Sequence, residues 1–240
     1  MAAQSKSLLL SLAAVYETFL ISFPTVVDGA LGRVKKEVCD ERLDGWGKRI
    51  VAHARMDVEV VGRENLVPGQ TYLVMSNHQS HYDIPVMFYV LGPNLRMITK
   101  SELFKVPIWG GAMRESGFIS IDRSNRQRAV ESLEIAKKSL ASGVHIWIAP
   151  EGTRSRSGEL LPFKKGGFAL SLDAGLPILP VAIKGTREAL RADGVRSTPG
   201  AKVRVQLFPH VDPKDYASLE GKAAREKLAE DVRRTIAGGL

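Results

Sequence analysis

The sequence predicts an α/β protein: a mixed, mainly parallel central sheet of about seven strands flanked by helices, with two more helices ahead of it. Three observations predict this. Short β-type runs recur at 58–61, 72–75, 95–99, 118–121, 144–149, 178–183 and 203–208. Several of them are continuously apolar, as befits strands covered on both faces. Helical stretches alternate with them, which is the pattern of a layered α/β domain.

The elements follow in chain order. Residues 7–23, rich in Leu, Ala, Val, Ile and Phe, read as a helix that ends at Pro24, because proline removes a helical N–H and crowds the preceding turn. A second helical stretch covers 28–53, weakened by Gly29, Gly32, Gly45 and Gly47. A helix over 84–91 carries Pro85 in its first turn, where a missing N–H costs nothing. The helix over 125–142 places Ala129, Leu133, Ala136 and Leu140 on one stripe, with Ser124 or Asn125 as its cap and Gly143 as its stop. Further helices are expected at 167–174 and 221–236, and the stretch 195–201, with Ser197, Pro199 and Gly200, reads as a loop.

Composition narrows the function. The 240 residues, 44% hydrophobic and 25% charged, suit one good-sized domain with a packed core. Cys39 is the single cysteine, which rules out an intrachain disulfide and suits a reducing compartment. The formal charge of +8 calls for an anionic partner. Nucleic acid would want the cations clustered on one helix or among exposed aromatics. Here they are dispersed, and no nucleic-acid partner is expected.

The apolar stretch 8–31 is interrupted by Glu17, Pro24 and Asp28, and its cleanest part, 8–23, is short for a spanning helix. Lys6 is a thin basic region for a secretory signal, and no small-residue cleavage site follows. A helix lying in a bilayer interface fits, with Arg33, Lys35 and Lys36 near the headgroups. The plainer alternative is a helix that packs on the domain.

His78 and Asp83 are the most informative pair. Imidazole takes a proton near neutral pH, and a carboxylate can hold one ring N–H and fix the tautomer. In one continuous helix a five-residue step would set the two side chains roughly 140° apart. At a strand–turn–helix junction Asp83 can fold back onto the ring. The alternative is a loop histidine with Asp83 as a helix cap, and the spacing does not choose between them. His81 suggests a metal site with the pair, but no His-Glu-x-x-His pattern or cysteine cluster accompanies it.

Other strand ends add cations and carboxylates. Glu151, Gly152, Thr153 and Arg154 follow the run 144–149, Asp122 and Arg123 follow 118–121, and Lys100 follows 95–99. Such ends commonly face the ligand crevice of an α/β sheet. Each residue alone reads as an ordinary charged turn or local ion pair. Together they read as a base beside an anion clamp, suited to activating a hydroxyl on a phosphate-bearing substrate. There is no phosphate-binding Gly-x-x-x-x-Gly-Lys loop and no Gly-x-Ser-x-Gly elbow.

These segments resemble the glycerolipid acyltransferase family over about residues 58–184. The blocks are Asn77-His78-Gln79-Ser80-His81-Tyr82-Asp83, Gly117-Phe118-Ile119-Ser120-Ile121-Asp122-Arg123, Pro150-Glu151-Gly152-Thr153-Arg154-Ser155 and Leu176-Pro177-Ile178-Leu179-Pro180-Val181. Lys100-Ser101-Glu102-Leu103, followed by Pro107 and Gly110, matches a further stretch. Ser120 stands where a bulky apolar residue is common.

The resemblance implies transfer of a fatty acyl group from acyl-CoA or acyl carrier protein to the sn-2 hydroxyl of lysophosphatidate, with no metal and no cofactor. It implies His78 as general base and Asp83 as its orienter. Lys100, Arg123 and Arg154 would hold the acceptor phosphate, and Glu151, Gly152 and Thr153 would shape that pocket. Pro180 would belong to the acyl-donor side. It further implies residues 1–53 as a two-helix membrane-associating segment and 54–240 as the catalytic domain. The expected location is the cytoplasmic face of the cell membrane, peripheral or monotopic, on an anionic surface. A rival reading keeps the chemistry with another acceptor, such as a lyso-ornithine lipid; in a different class, a non-catalytic lipid-binding or nucleic-acid-binding protein is the remaining alternative.

Overall fold

The computed structural model of the chain describes residues 6–122 and 126–240. The strands β1 (Asp57–Val61), β2 (Leu73–Ser76), β3 (Leu95–Lys100), β4 (Ile119–Ile121), β5 (His145–Ile148), β6 (Ile178–Lys184) and β7 (Lys202–Leu207) form one sheet. Their order is β1-β7-β6-β2-β5-β3-β4. Only β6 and β7 pair antiparallel; the other pairs are parallel. The sheet is therefore mixed and mainly parallel, with β2 in its middle.

Helices cover both faces. On one side lie α1 (Leu8–Ala30), α2 (Lys36–His53), α3 (Asp83–Leu91) and α4 (Trp109–Glu115). On the other lie α5 (Arg126–Ala141), α6 (Gly166–Ala174) and α8 (Gly221–Ala237), while the short α7 (Thr186–Ala189) follows β6. The pleat of β2 sorts its residues between the two cores. Val74, with Tyr72 just before the strand, joins Leu43, Trp46 and Phe88, whereas Leu73 and Met75 join Leu140, Phe168 and Leu228. Val86, Met87 and Phe88 of α3 are fully buried, each stabilising the fold by about 1.5–3 kcal/mol.

The N-terminal helices depart from expectation at two places. The first does not end at Pro24, which lies inside α1. Residues beyond it are held from outside the helix. Arg42 donates to Thr25 Oγ1 at 3.0 Å and to Asp28 Oδ2 at 2.7 Å. These contacts, with packing on α4 so close that a Cβ on Gly29 would strike the Glu115 side chain, offset the roughly 3 kcal/mol that an internal proline costs. The second helix does not run unbroken from 28. Gly32 turns the chain at φ 64°, and α2 starts afresh at Lys36. Gly47 has a different role: a Cβ there would sit 3.1 Å from Phe88 Cβ and the Pro85 carbonyl, so its bareness lets α2 approach α3.

Helix α1 has two unlike faces. Inward, Glu17 accepts from Arg49 Nε at 2.6 Å and from His53 Nε2 at 3.0 Å, and Thr18 accepts from Trp46 Nε1 at 3.1 Å. Outward, Leu9, Leu12, Val15, Tyr16, Phe19 and Phe23 are exposed. By length and apolar composition α1 could cross a membrane, yet a polar seam fastens it to α2. Leu43, Trp46, Ile50 and Val51 of α2 share one core with the sheet, so residues 36–53 pack as part of the same body as residues 54–240.

Candidate active site

Strands β5, β2 and β6 lie side by side and parallel, so their C-terminal ends open on one edge. β2 ends at Ser76, and the next residue extends its pairing by side chain. Asn77 Nδ2 donates to the Ile183 carbonyl and Asn77 Oδ1 accepts from the Ile183 N–H, both at 2.8 Å. His78 is then gripped on both backbone flanks: its N–H donates to Glu151 Oε1 at 2.6 Å, and its carbonyl accepts from Ser155 N at 2.8 Å.

Asp83 is the first residue of α3 and is fully buried. Its Oδ2 accepts from His78 Nδ1 at 2.7 Å and from the backbone N–H groups of Gln79 and Ser80 at 2.8 and 3.0 Å. Its Oδ1 accepts from Thr186 Oγ1 at 2.5 Å. With four donors converging, the carboxylate can only accept from the ring, which places the proton on Nδ1 and the lone pair on Nε2. Among the described residues nothing bonds to Nε2. The ring stands edge-on to Trp147, with centroids 6.2 Å apart.

Glu151 is nearly as buried as Asp83. Besides His78, it accepts from Leu161 N at 2.8 Å through Oε2. Burial raises its pKa, against the pull of the two backbone N–H groups and of His78. These bonds join the loop after β2 to the loop after β5. Glu151→Gln keeps one acceptor for two amides. We expect it to destabilise the fold by about 1–3 kcal/mol, the cost of a buried unsatisfied donor, as read by thermal melting. An unchanged melting temperature would remove the staple role.

The other expected residues divide. Arg154 is half-buried and lies near enough to Asp83 and His81 for their charges to act on one another; burial pulls its pKa down while Asp83 pushes it up. No hydrogen bond or ion pair to a described residue engages its guanidinium. Lys100 ends β3, exposed, in register with Ile121, on the same edge of the sheet. Gly152 turns the chain at φ 74°, and Thr153 is exposed beside it. Arg123 lies outside the described residues, as do Ser124 and Asn125. Pro180 is buried within β6 opposite Met75, and by strand parity it faces the α6–α8 side. His81, exposed at the surface, lines a groove beside the pair; partial desolvation there, then the charge of Arg154, lowers its pKa to about 4.

That groove is lined by His81, Tyr82 and Ile84, close in sequence to His78 and Asp83. Its volume is about 550 Å³, within the range of ligand pockets. It runs between α1, α2, α3 and α4, and Val15, Phe19, Trp46, Phe88, Ile108 and Phe118 are among its mostly apolar walls. Ser120 does not line it. Three contributors had no role assigned from the sequence: Asn77, Thr186 and Tyr82, whose hydroxyl donates to Ser197 Oγ at 2.9 Å on the groove wall. Thr186 had a signal, since it follows the end of β6.

A family model described as acyltransferase matches residues 57–184, over half of the chain, and takes in the His78–Asp83 pair and the loop carrying Glu151 and Arg154. The chain belongs to this acyltransferase family. Among curated relatives it is 34% identical over 180 residues to the 1-acyl-sn-glycerol-3-phosphate acyltransferase alpha of Mus musculus, covering 75% of this chain and 62% of that protein. It is 40% identical over 134 residues to the 1-acyl-sn-glycerol-3-phosphate acyltransferase of Saccharomyces cerevisiae, covering 55% and 44%. The chain thus spans at most about three fifths of these relatives' length. The crystal structure of the 1-acyl-sn-glycerophosphate acyltransferase PlsC from Thermotoga maritima matches with a TM-score of 0.79 and 29% identity, covering 97% of this chain and 94% of that one. The chain, with its mixed seven-stranded sheet and helical layers, therefore shares its fold with a solved structure.

Proposed function

We propose that the chain transfers a fatty acyl group from a thioester donor to the sn-2 hydroxyl of 1-acyl-sn-glycerol-3-phosphate, giving phosphatidate, at a membrane surface. The observation that carries this is the His78–Asp83 pair, whose Nε2 bonds to no described residue, with Arg154 near enough to Asp83 for their charges to act on one another and with the neighbouring His81 lining an apolar groove. Nε2 removes the proton of the acceptor hydroxyl as its oxygen attacks the thioester carbonyl. The tetrahedral intermediate collapses, the C–S bond breaks, and the imidazolium returns the proton to the departing thiolate. Nothing in these steps needs a covalent acyl-enzyme, a metal or a cofactor.

Arg154, with Lys100 and Arg123, holds the acceptor phosphate, for which a guanidinium fork is well shaped. Gly152 and Thr153 shape that turn. The groove takes an acyl chain, and the outward face of α1 rests in the bilayer interface, with the polar seam to α2 keeping the helix on the protein instead of across the membrane. The basic surface suits an anionic leaflet on the cytoplasmic side.

The test supplies purified protein with acyl-CoA or acyl carrier protein and lysophosphatidate in vesicles. Phosphatidate is the expected product; turnover only on a non-phosphate acceptor, such as a lyso-ornithine lipid, would refute the reading. Arg154→Ala is expected to raise the acceptor KM by about 10–100-fold, the worth of one or two charge-assisted hydrogen bonds. An unchanged KM for lysophosphatidate in initial-rate measurements would take Arg154 out of the phosphate site.

A further inference from the structure

The apolar groove shares a wall with a second recess of opposite character. Leu190 and Val195 line both. The recess, of about 520 Å³, is built by α7 and the segment after it, with Lys6 at its border. Lys6, Arg187, Arg191 and Arg196 bring four cations to it, against the carboxylates of Glu188 and Asp193. Arg191 and Asp193 meet at 3.4 Å, each more than half exposed, a pairing that water loosens.

Arg187 is the residue that asks for a partner. Its Nη2 donates to the Arg156 carbonyl at 2.9 Å. Its Cδ would lie 3.4 Å from a Cβ on Gly158, so the bare glycine gives the stem room. Its Nε is buried with no hydrogen-bond partner among the described residues. A buried donor is ordinarily paired, and no described residue supplies an acceptor here. The recess is also tied to the catalytic pair. Thr186, next to Arg187, bonds to Asp83, and Gln79 Nε2, one residue from His78, donates to the Gly158 carbonyl at 3.1 Å.

We infer that this recess seats the phosphates of the nucleotide carried by acyl-CoA. The inference rests on the acyl-transfer reading and adds the donor's identity and place. An acyl chain in the groove puts the thioester near His78, and the rest of the donor then extends away from the apolar walls. The recess beyond the shared wall is concave and lined by guanidiniums, whose forks match phosphate oxygens. Its volume is that of a small-molecule site; a carrier protein would meet a broad convex surface instead.

The experiment uses the full chain, acyl-CoA, lysophosphatidate vesicles and adenosine 3′,5′-bisphosphate as the probe. The probe is expected to inhibit competitively against acyl-CoA and not against lysophosphatidate. Arg191→Ala, at an exposed position where folding is not at risk, and Arg187→Ala are each expected to raise the KM for acyl-CoA about tenfold, by loss of a charge-assisted hydrogen bond. The rise is expected to vanish with an acyl thioester of N-acetylcysteamine, which lacks the nucleotide. No inhibition together with unchanged KM would overturn the inference, as would an equal penalty with the truncated donor. Loss confined to vesicle binding would assign the recess to lipid headgroups, and turnover with acyl carrier protein alone would assign the donor to that protein; either overturns it. Absence of turnover with every donor would instead strike the acyl-transfer reading itself.

Discussion

His78→Ala is expected to lower kcat by about 10²–10⁴-fold, the usual contribution of a positioned general base, while the fold persists. The second half of that expectation is as specific as the first. Glu151 and Ser155 hold His78 through its backbone N–H and carbonyl, which alanine retains. Asn77 keeps its two bonds to Ile183, and Asp83 keeps three donors, from Gln79, Ser80 and Thr186. Initial rates with lysophosphatidate, alongside a thermal melt, measure both halves. Turnover within tenfold of the parent protein would remove His78 from the role of base. Asp83→Asn attacks the same step differently. A carboxamide has one acceptor oxygen for four donors and presents its own N–H groups to the others, so it is expected to cost both kcat and stability.

The second large effect is on membrane binding. Leu9, Val15 and Phe23 are 79%, 67% and 50% exposed on the outward face of α1. Burial of such side chains in an apolar phase is worth about 1.5–3 kcal/mol each, so replacing all three with glutamate is expected to lower vesicle affinity by at least about 10³-fold. The melting temperature should hold, because the inward bonds of Glu17 and Thr18 are untouched. Vesicle sedimentation is the readout. Undiminished binding would place the membrane contact elsewhere on the molecule.

The strands were legible in the sequence because burial on both faces makes central strands such as β2 and β6 continuous apolar runs, while β7 alternates apolar and polar residues; all seven fall where the β-type runs lie. The helix boundaries near the N-terminus were not. Pro24 is a local break signal, and the interactions that override it come from Arg42 on the next helix and from α4. The site divides along the same line. The meeting of His78 and Asp83 was legible because both lie at one strand–helix junction of a parallel sheet. Asn77 and Thr186 were not, since their partners Ile183 and Asp83 stand 106 and 103 residues away. Glu151 was visible as a residue that would shape the pocket, but its means of doing so was not. It shapes the site by holding the backbone of His78, which lies 73 residues away in sequence.

Helix α1 is both a wall of the groove and the outward apolar face. On the proposed reading, the mouth of the site therefore lies at the plane of the lipid, and acceptor and product enter and leave by sideways diffusion. The quantity that governs saturation is then the mole fraction of lysophosphatidate in the surface and not its amount per volume. Adding inert lipid at constant substrate should slow the reaction, as surface dilution, although every bulk concentration of reactants stays the same.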